Sequence, residues 1–537
     1  MVSQRPEIDY PGIGRLFCAP LRWRDFAGIG EIRAYLERLV EHGAGGIILY
    51  GGDSEGTPQV LGEIRRRSEY PIFVMADMET GTAQQIPGGT AYPSLMALGA
   101  TRSADLAYRV GRATALEALA LGVNVVLAPV LDVNTNPLNP IVDVRSFGES
   151  PELVAELGAA YIRGCQEAGV IACAKHFPGH GDTDIDSHIG LPVIGRGPGS
   201  LRALEIPPFK RAIAEGVKAV MVGHISLPAL TGSEDIPASL SHEVVTGLLR
   251  RELGFDELIL TDAMNMGGVG EAAGRVESVV RALRAGNDLL LYVEDIPGTV
   301  AGVEAALRSG SLDHTVIERA IERVSRARRH LSESPPTEPP ETAVIGCREH
   351  QELARTVADR SATLVRNRGD FFPLSPEDRG LFVILDEEGA DRSMDMTAHL
   401  ASTFPGWHLI APGGDRSGVD GATIERVKAA EKTVVFAFSR VRAWRGTADL
   451  TPEGVATLTP LLEAVRRAAL VSLGSPYLMR HFPWIDACLC LYGPARVSQE
   501  SVVRVLSGGL NPSGRLPVSI PGLYPAGWGI SFRGNGG

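Results

Sequence analysis

Short apolar runs alternate with helical patterns along residues 1–331 of the chain. Between the runs, apolar residues recur at helical spacing over segments such as 32–42, 105–121 and 151–167. Strands that are apolar throughout are typical of a parallel sheet whose two faces are covered by helices. The pattern predicts eight strands, over residues 15–18, 46–50, 72–77, 123–129, 170–176, 219–224, 257–262 and 288–292.

Eight strand–helix units of this length suit a closed (β/α)8 TIM barrel. A doubly wound open sheet is an alternative, because periodicity alone does not show whether a sheet closes. Residues 332–342, SESPPTEPPET, predict a stiff linker between domains. Residues 343–537 predict a second α/β domain, with strands over 381–385, 433–438, 469–473 and 487–492 and a helix over 423–432. We therefore expect an α/β protein of two domains.

Composition and charge narrow the class of protein. Of the 537 residues, 44% are hydrophobic and 22% are charged, which is typical of a globular protein. The net charge of −12 is spread along the chain, without the basic stripe that binds nucleic acid. No apolar run has the ~18 to 20 residues of a membrane span, and residues 1–12 lack the apolar stretch of a secretory signal. We expect a cytoplasmic protein with no nucleic-acid or membrane partner, whose six cysteines are buried free thiols.

Polar residues follow four of the predicted strands at the point where each strand ends. They are Asp77, Lys175 with His176, His224 and Asp262. The carboxyl ends of barrel strands meet at one face, and barrel enzymes carry their active sites there. Each residue alone is more often a helix cap or a loop hydrogen bond, whereas together they predict a functional site.

The segment 175–188, KHFPGHGDTDIDSH, holds the densest cluster of reactive side chains, and its Pro and Gly residues predict a loop. In one interpretation, Asp186 orients His188 for proton transfer near neutral pH. In a second, the cluster binds a metal, but its spacings match no zinc or calcium signature and we expect no metal. In a third, the side chains only satisfy the loop backbone, which hardly explains so many titratable groups beside Lys175.

Asp262, in the segment TDAM, has two interpretations. It is either the N-cap of the following helix or a carboxylate with a chemical role. Retaining glycosyl transfer needs a carboxylate beneath the anomeric carbon and a separate proton donor, about 5 to 5.5 Å away where both groups are carboxyls. Because His188 and Asp262 follow different strands of one predicted rim, their side chains could face each other across a pocket.

Several motifs match one known family. They are GAGGIIL at 43–49, APVLDVN at 128–134, RSFG at 145–148, the KHFPGHGDT loop that closes in DSH, LTDAM at 260–264, LVRNR at 364–368 and PSGRLPV at 512–518. With them the chain resembles glycoside hydrolase family 3, specifically its β-N-acetylglucosaminidase branch. The resemblance covers most of the chain, and the long loop motif is highly specific. It implies a TIM barrel followed by an α/β sandwich domain.

The resemblance implies a retaining exo-glycosidase that releases terminal β-linked N-acetylglucosamine without a cofactor. Asp262 would be the nucleophile that forms a glycosyl-enzyme ester, and His188, held by Asp186, the general acid and then base. Around the nonreducing sugar the resemblance places Asp77, Arg145, Lys175, His176 and His224. The implied partner is a small carbohydrate, such as a muropeptide of wall recycling or a chitin oligomer.

The match departs from the family after the third strand. Where the family usually carries D-Q-E-G-G-R-V, residues 77–83 read DMETGTA, so Thr82 replaces an arginine and its fork of donors. The aglycone is therefore left open, as are the oligomeric state and the role of the second domain. Three alternative functions also remain: a phosphorylase, whose imidazole base would repel phosphate less than a carboxylate does, a β-glucosidase, and a noncatalytic sugar-binding protein.

Overall fold

The computed structural model describes residues 12–187, 189–270, 275–333, 340–375, 377–386, 394–410, 421–441 and 446–532. His188, the predicted acid and base, lies outside the described residues, and so do residues 334–339 of the predicted linker. Within the described ranges, no helix is both long enough and apolar enough to cross a membrane.

Eight parallel strands close into a barrel, which confirms the predicted fold and excludes the open sheet. The strands are β1 (Phe17–Arg22), β2 (Gly46–Tyr50), β3 (Phe73–Ala76), β4 (Val125–Val126), β5 (Ile171–Phe177), β6 (Ala219–Val222), β7 (Leu258–Ala263) and β8 (Leu289–Leu291). The barrel closes where β8 pairs with β1, with Phe17 opposite Leu290. Because all eight strands are parallel, their carboxyl ends meet at one face, as the sequence predicts.

Helices connect the strands on the outside of the barrel. They are α1 (Ile29–Glu41), α2 (Gly56–Arg67), α3 (Leu95–Thr101), α4 (Ala104–Leu121), α5 (Pro151–Glu167), α6 (Pro198–Leu204), α7 (Ile206–Ala214), α8 (Pro228–Thr231), α9 (Gly267–Gly270), α10 (Arg275–Ala285), α11 (Ile296–Ser309) and α12 (His314–Glu333), with a π-helical segment at Glu243–Glu252. The predicted helix over 151–167 has the bounds of α5. Ser150 caps it by accepting a hydrogen bond from the Leu153 amide, and Pro151 suits its first turn.

The second domain is built on a six-stranded sheet in the order β11-β10-β12-β13-β14-β9. Its strands are β9 (Thr363–Asn367), β10 (Gly380–Asp386), β11 (Trp407–Ile410), β12 (Lys432–Phe438), β13 (Ala468–Leu473) and β14 (Ala487–Cys490). Its helices are α13 (Arg348–Ser361), α14 (Met394–Thr403), α15 (Gly421–Ala429), α16 (Pro452–Ala464) and α17 (Arg496–Leu506). One apolar cluster covers each face of the sheet, and the first includes Met96 and Ala97 of α3. The barrel thus contributes a helix to the core of the second domain.

The structure corrects several sequence predictions. Residues 15–16 end a 3-10 helix, and β1 begins at Phe17. The edge strands β9 and β11 were not predicted, because β9 contains a charged residue and β11 is short with exposed central positions. The helix predicted to reach residue 432 ends at Ala429, since Lys432 begins β12. All six cysteines are free thiols, but Cys347 is half-buried rather than buried.

Candidate active site

A cavity of about 650 Å³ opens at the carboxyl ends of the barrel strands. This size is typical of small-molecule sites. Residues of both domains line the cavity: Tyr50, Asp77, Lys175, His176, Asp262 and Tyr292 from the strand ends, and Ser439, Arg440, Val441 and residues 492–495 from the second domain. Residues predicted from strand ends therefore form much of the barrel side of the cavity, whereas no pattern in the sequence indicated the second-domain side.

Four charged side chains form a cluster in the cavity wall. The Lys175 ammonium lies 2.6 Å from Asp77 Oδ1 and 2.8 Å from Glu79 Oε1. Arg145 donates from Nε and Nη2 to the two oxygens of Glu79, at 2.9 and 2.8 Å. A third donor, Arg145 Nη1, binds the Ile141 carbonyl at 2.8 Å. These contacts fix the orientation of the donors and acceptors in this part of the cavity wall.

Glu79 and Lys175 stay ionised although they are buried. Burial alone would raise the pKa of Glu79, but the charges of Arg145 and Lys175 outweigh it and hold that pKa well below its usual value. Burial would likewise lower the pKa of Lys175, but the charges of Asp77 and Glu79 raise it above its usual value. Opposite charges therefore compensate for the loss of water around each group.

His176 is oriented from behind by Asp132, a fully buried residue after β4. Asp132 accepts hydrogen bonds from His176 Nδ1 at 2.8 Å, from the His176 amide at 3.1 Å and from the His180 amide at 2.8 Å. Burial would raise the pKa of Asp132, but its interaction with His176 outweighs burial and lowers that pKa. Because Nδ1 donates to Asp132, Nε2 is the ring nitrogen of His176 that does not contact Asp132; which nitrogen carries the proton is assigned from this hydrogen bond.

Asp262 lies at the end of β7 and lines the cavity. Its Oδ1 accepts a hydrogen bond from the following amide, Ala263 N, at 2.8 Å. The next helix, α9, begins only at Gly267. The N-cap interpretation of Asp262 is therefore wrong, and the carboxylate stands at the cavity wall instead.

The loop after β5 brings Ser187 to the cavity. Asp186 is buried, and its carbonyl accepts hydrogen bonds from the amides of Ile189 and Gly190 at 2.9 and 3.1 Å. His188 lies outside the described residues, so its pairing with Asp186 stays a prediction. No group of three or more His, Cys, Asp or Glu side chains among the described residues is arranged to hold a metal ion.

His224 lies behind the cavity wall, not in it. Its side chain is fully buried, with Nδ1 2.7 Å from Ser239 Oγ and Nε2 3.1 Å from the carbonyl of Ala263. His224 therefore contacts the strand that carries Asp262. The direct contact with a sugar that the resemblance implies for His224 stays a prediction.

Thr82, the position where the family usually has arginine, lies in a junction between the two domains. Its hydroxyl donates to the carboxylate of Glu117, a buried residue of α4. Glu117 also accepts from the Thr90 amide at 2.9 Å and hydroxyl at 2.5 Å, and, in the second domain, from the Gly346 amide at 3.1 Å and from His350 Nδ1 at 2.7 Å. Thr82 thus belongs to the hydrogen-bonded contact between the two domains, which the family motif does not indicate.

Sequence reasoning missed four important residues on the barrel side. Glu79 and Asp132 stood inside the motifs quoted above, but no role was assigned to either. Tyr50 is the last residue of a predicted strand, and this position could have indicated that it lines the cavity. Glu117 had no signal, because its partners lie up to 233 positions away in the chain.

Comparison with known proteins gives consistent matches. Residues 29–327 match the family described as "Glycosyl hydrolase family 3 N terminal domain". The chain is 30% identical to β-hexosaminidase A of Pseudoalteromonas piscicida over 365 residues, 62% of this chain and 61% of that one. It is 28% identical to the β-N-acetylglucosaminidase/β-glucosidase of Cellulomonas fimi over 536 residues, 94% of this chain and 93% of that one.

A solved structure extends this similarity across both domains. The glycoside hydrolase family 3 β-N-acetylglucosaminidase of Paenibacillus sp. str. FPU-7 superposes with a TM-score of 0.82 at 28% identity. The superposition covers 94% of this chain and 98% of that one. The barrel and the second domain therefore occur together, in this arrangement, in a protein of that description.

Proposed function

The chain belongs to glycosyl hydrolase family 3, and we propose that it is a retaining exo-β-N-acetylglucosaminidase with Asp262 as its nucleophile. The observation that carries the proposal is that Asp262 shares one cavity with the ionised cluster around Lys175. The cluster offers oriented donors and acceptors to sugar hydroxyls. Asp262 offers a carboxylate at the end of β7, on the same rim of the barrel.

The family and the branch predicted from the motifs are confirmed by the matches. The relatives called β-hexosaminidase or β-N-acetylglucosaminidase support a glycoside hydrolase of the β-N-acetylhexosaminidase type. A muropeptide or chitin-oligomer substrate, a role in wall recycling and a cytoplasmic location are further proposals, which rest on the sequence alone.

In the proposed reaction, a carboxylate oxygen of Asp262 attacks the anomeric carbon while His188 gives a proton to the leaving oxygen. The glycosidic bond breaks and a glycosyl-aspartate ester forms. His188 then takes a proton from water, which attacks the same carbon and releases Asp262. Two displacements at one carbon retain the β configuration. Asp186 would hold the imidazole through both steps.

The four other cavity residues predicted from the sequence would bind the nonreducing sugar. Asp77 accepts hydrogen bonds, and Lys175 and Arg145 donate them from orientations that Glu79 fixes. His176 Nε2 would accept a hydrogen bond from a sugar hydroxyl, because Nδ1 already donates to Asp132. The sugar is thus recognised by groups that are already oriented before it binds, which reduces the entropic cost of ordering them.

The replacement Asp262→Asn tests the proposal. With an aryl β-N-acetylglucosaminide, we expect kcat to fall by about a thousandfold or more, because no ester forms. Asp105→Asn, at an exposed position of α4, is the matched control and should retain wild-type turnover. Near-normal turnover of the Asp262→Asn variant would exclude Asp262 as the nucleophile.

The first product and the acceptor are measured in the same assay. We expect proton NMR to detect the β anomer of N-acetylglucosamine before mutarotation, whereas the α anomer would contradict a retaining mechanism. Runs with and without phosphate separate hydrolysis from phosphorolysis, because only phosphorolysis yields a sugar 1-phosphate. A parallel aryl β-glucoside tests the β-glucosidase alternative, which a faster glucoside reaction would favour.

A further inference from the structure

The carboxyl group of Glu205 differs from the other carboxyl groups near the cavity. Neither of its two oxygens has a hydrogen-bond partner within the described part of the chain. Glu205 lies between α6 and α7 and is fully buried. An isolated carboxylate is strongly disfavoured in such a place, whereas a neutral acid is tolerated. The structure therefore fits Glu205 in its protonated form.

Glu205 packs directly against the loop that follows β5. A methyl group on Gly179 would lie 2.6 Å from Oε2 and 2.8 Å from Cβ of Glu205, so the two residues are in close contact. Gly179 also has φ of +130°, a conformation that favours glycine. Asp186 and Ser187 follow on the same loop, and Ser187 lines the cavity. The contact thus joins Glu205 to the segment that carries the predicted acid and base.

The charged groups that act on Glu205 come from two loops, the one after β4 and the one between β5 and α6. Asp132 follows β4, Asp182 belongs to the loop after β5, and Arg196 precedes α6. Burial, followed by the negative charge of Asp132, raises the pKa of Glu205 to about 8, while Arg196 opposes and Asp182 adds to this shift. A second charge beside Asp132 would repel the carboxylate that orients His176.

His180, which lies on the loop after β5 between Gly179 and Asp182, stays neutral. Burial lowers the pKa of His180 to about 4. Its Nδ1 lies 2.7 Å from Thr183 Oγ1, and its Nε2 is buried without a partner among the described residues. His180 therefore supplies no positive charge that would stabilise an ionised Glu205 between pH 6 and 9.

We propose that Glu205 is a positioning residue for the reaction, which supports the base of the loop at Gly179 while it is protonated and releases it on ionisation. Hydration of a carboxylate at this position requires the loop to move away from Glu205. Such a movement displaces Asp186 with respect to the cavity, because Gly179 and Asp186 lie on the same loop. Catalysis is then limited on the alkaline side by a group that never contacts the substrate.

Two variants test this inference, which rests on the proposed function because it concerns the loop of Asp186. Glu205→Gln keeps the shape of the neutral acid but cannot ionise, whereas Glu205→Ala removes the support. On an aryl β-N-acetylglucosaminide we expect Glu205→Ala to lower kcat by about tenfold or more with little change in KM. Glu205→Gln should restore at least about a third of wild-type kcat at pH 7.

The pH profile separates positioning from a merely structural role. We expect the alkaline limb of kcat in the wild type to move upward by about one pH unit or more in Glu205→Gln. Glu252→Gln is the control: Glu252 is half-exposed and pairs with Arg202 of α6 at 2.8 Å. It makes the same chemical change nearby and should keep the wild-type limb.

Thermal unfolding tests the ionisation of Glu205 without an activity assay. The folded-state pKa of about 8 lies above the unfolded value of about 4.3, so the folded state binds the proton more tightly. This stabilisation is fully present below the unfolded pKa and is lost as the pH rises through the folded pKa. The Tm of the wild type should therefore decline over this window relative to that of Glu205→Gln.

The outcomes are distinguishable. If Glu205→Gln is as impaired as Glu205→Ala, or if it keeps the wild-type alkaline limb, the inference is wrong. If the wild type cleaves no N-acetylglucosaminide, the proposed function fails, and a Tm difference independent of pH then overturns the inference separately. If Glu205→Ala does not fold, the alkaline limb and Tm of Glu205→Gln decide.

Discussion

Tyr50 shows how a single residue completes a binding surface. Its ring lies edge-on to Tyr292 with centroids 5.9 Å apart, and Tyr292 in turn accepts a hydrogen bond from Arg22 Nε at 2.8 Å. Burial, followed by the negative charges of carboxylates such as Asp77 and Asp262, raises the pKa of Tyr50 above its usual value. The phenol therefore stays protonated, and it offers a neutral donor in a cavity wall that also presents the carboxylates of Asp77 and Asp262.

Removal of this hydroxyl should weaken sugar binding. We expect Tyr50→Phe to lower kcat/KM by about threefold to tenfold, the contribution of one hydrogen bond to a bound hydroxyl, while the ring packing on Tyr292 is kept. Tyr35→Phe is the matched control, because the Tyr35 hydroxyl donates to the Pro20 carbonyl at 2.8 Å outside the cavity. Equal kcat/KM in wild type and Tyr50→Phe would show that the hydroxyl does not contact the substrate.

At the scale of elements, the loop after β5 is held at its base by side chains from the loop after β4 and from its own C-terminal end. Asn139 donates to the His180 carbonyl at 2.8 Å, and Asn136 donates to the Thr183 carbonyl at 3.1 Å. Arg196 donates to both oxygens of Asp182, at 2.5 and 2.6 Å. Such a base orients the residues further along the loop, because a bidentate pair restricts rotation as well as distance.

The bidentate pair of Arg196 gives a prediction for this element. Arg196→Ala should lower kcat by about fivefold to tenfold through a misplaced loop, while the free energy of unfolding falls by about 1 kcal/mol or less, since the pair is partly exposed. Arg196→Lys should be intermediate, because it keeps the charge but not the fork. Arg202→Ala, which breaks an exposed pair with Glu252, is the control. A wild-type kcat for Arg196→Ala, measured beside Tm, would contradict the role of the pair.

At the scale of the whole molecule, local patterns predicted the barrel but not the junction between domains. The bounds of α5 follow from Ser150 and Pro151, and the positions of Asp77, Lys175 and Asp262 follow from strand ends. Contacts between residues far apart in sequence leave no such pattern. In β9, for example, Arg366 disrupts the apolar run, yet it is buried because it donates to the carbonyls of Pro483 and Ile485 at 2.6 and 2.9 Å.

The junction at Glu117 gives the prediction for the whole molecule. Glu117 joins Thr82 and Thr90 of the barrel to Gly346 and His350 of the second domain, whose residues 492–495 line the cavity. Glu117→Gln should lower the free energy of unfolding by about 2 to 4 kcal/mol, because buried donors lose a charged acceptor. We also expect KM to rise as the second domain loosens, whereas Glu167→Gln, at an exposed hydrogen bond to Tyr108, should change neither quantity.

The pH dependence of unfolding shows whether the charge of Glu117 is responsible. Burial raises the pKa of Glu117, but its hydrogen bonds from His350, Thr82 and Thr90 outweigh burial and lower it. A lowered folded-state pKa stabilises the protein above the unfolded pKa, and this stability is lost as the pH falls through the folded pKa. Urea unfolding of the wild type should therefore weaken at acidic pH more steeply than that of Glu117→Gln. Parallel curves for the two proteins would mean that the junction depends on shape and not on charge.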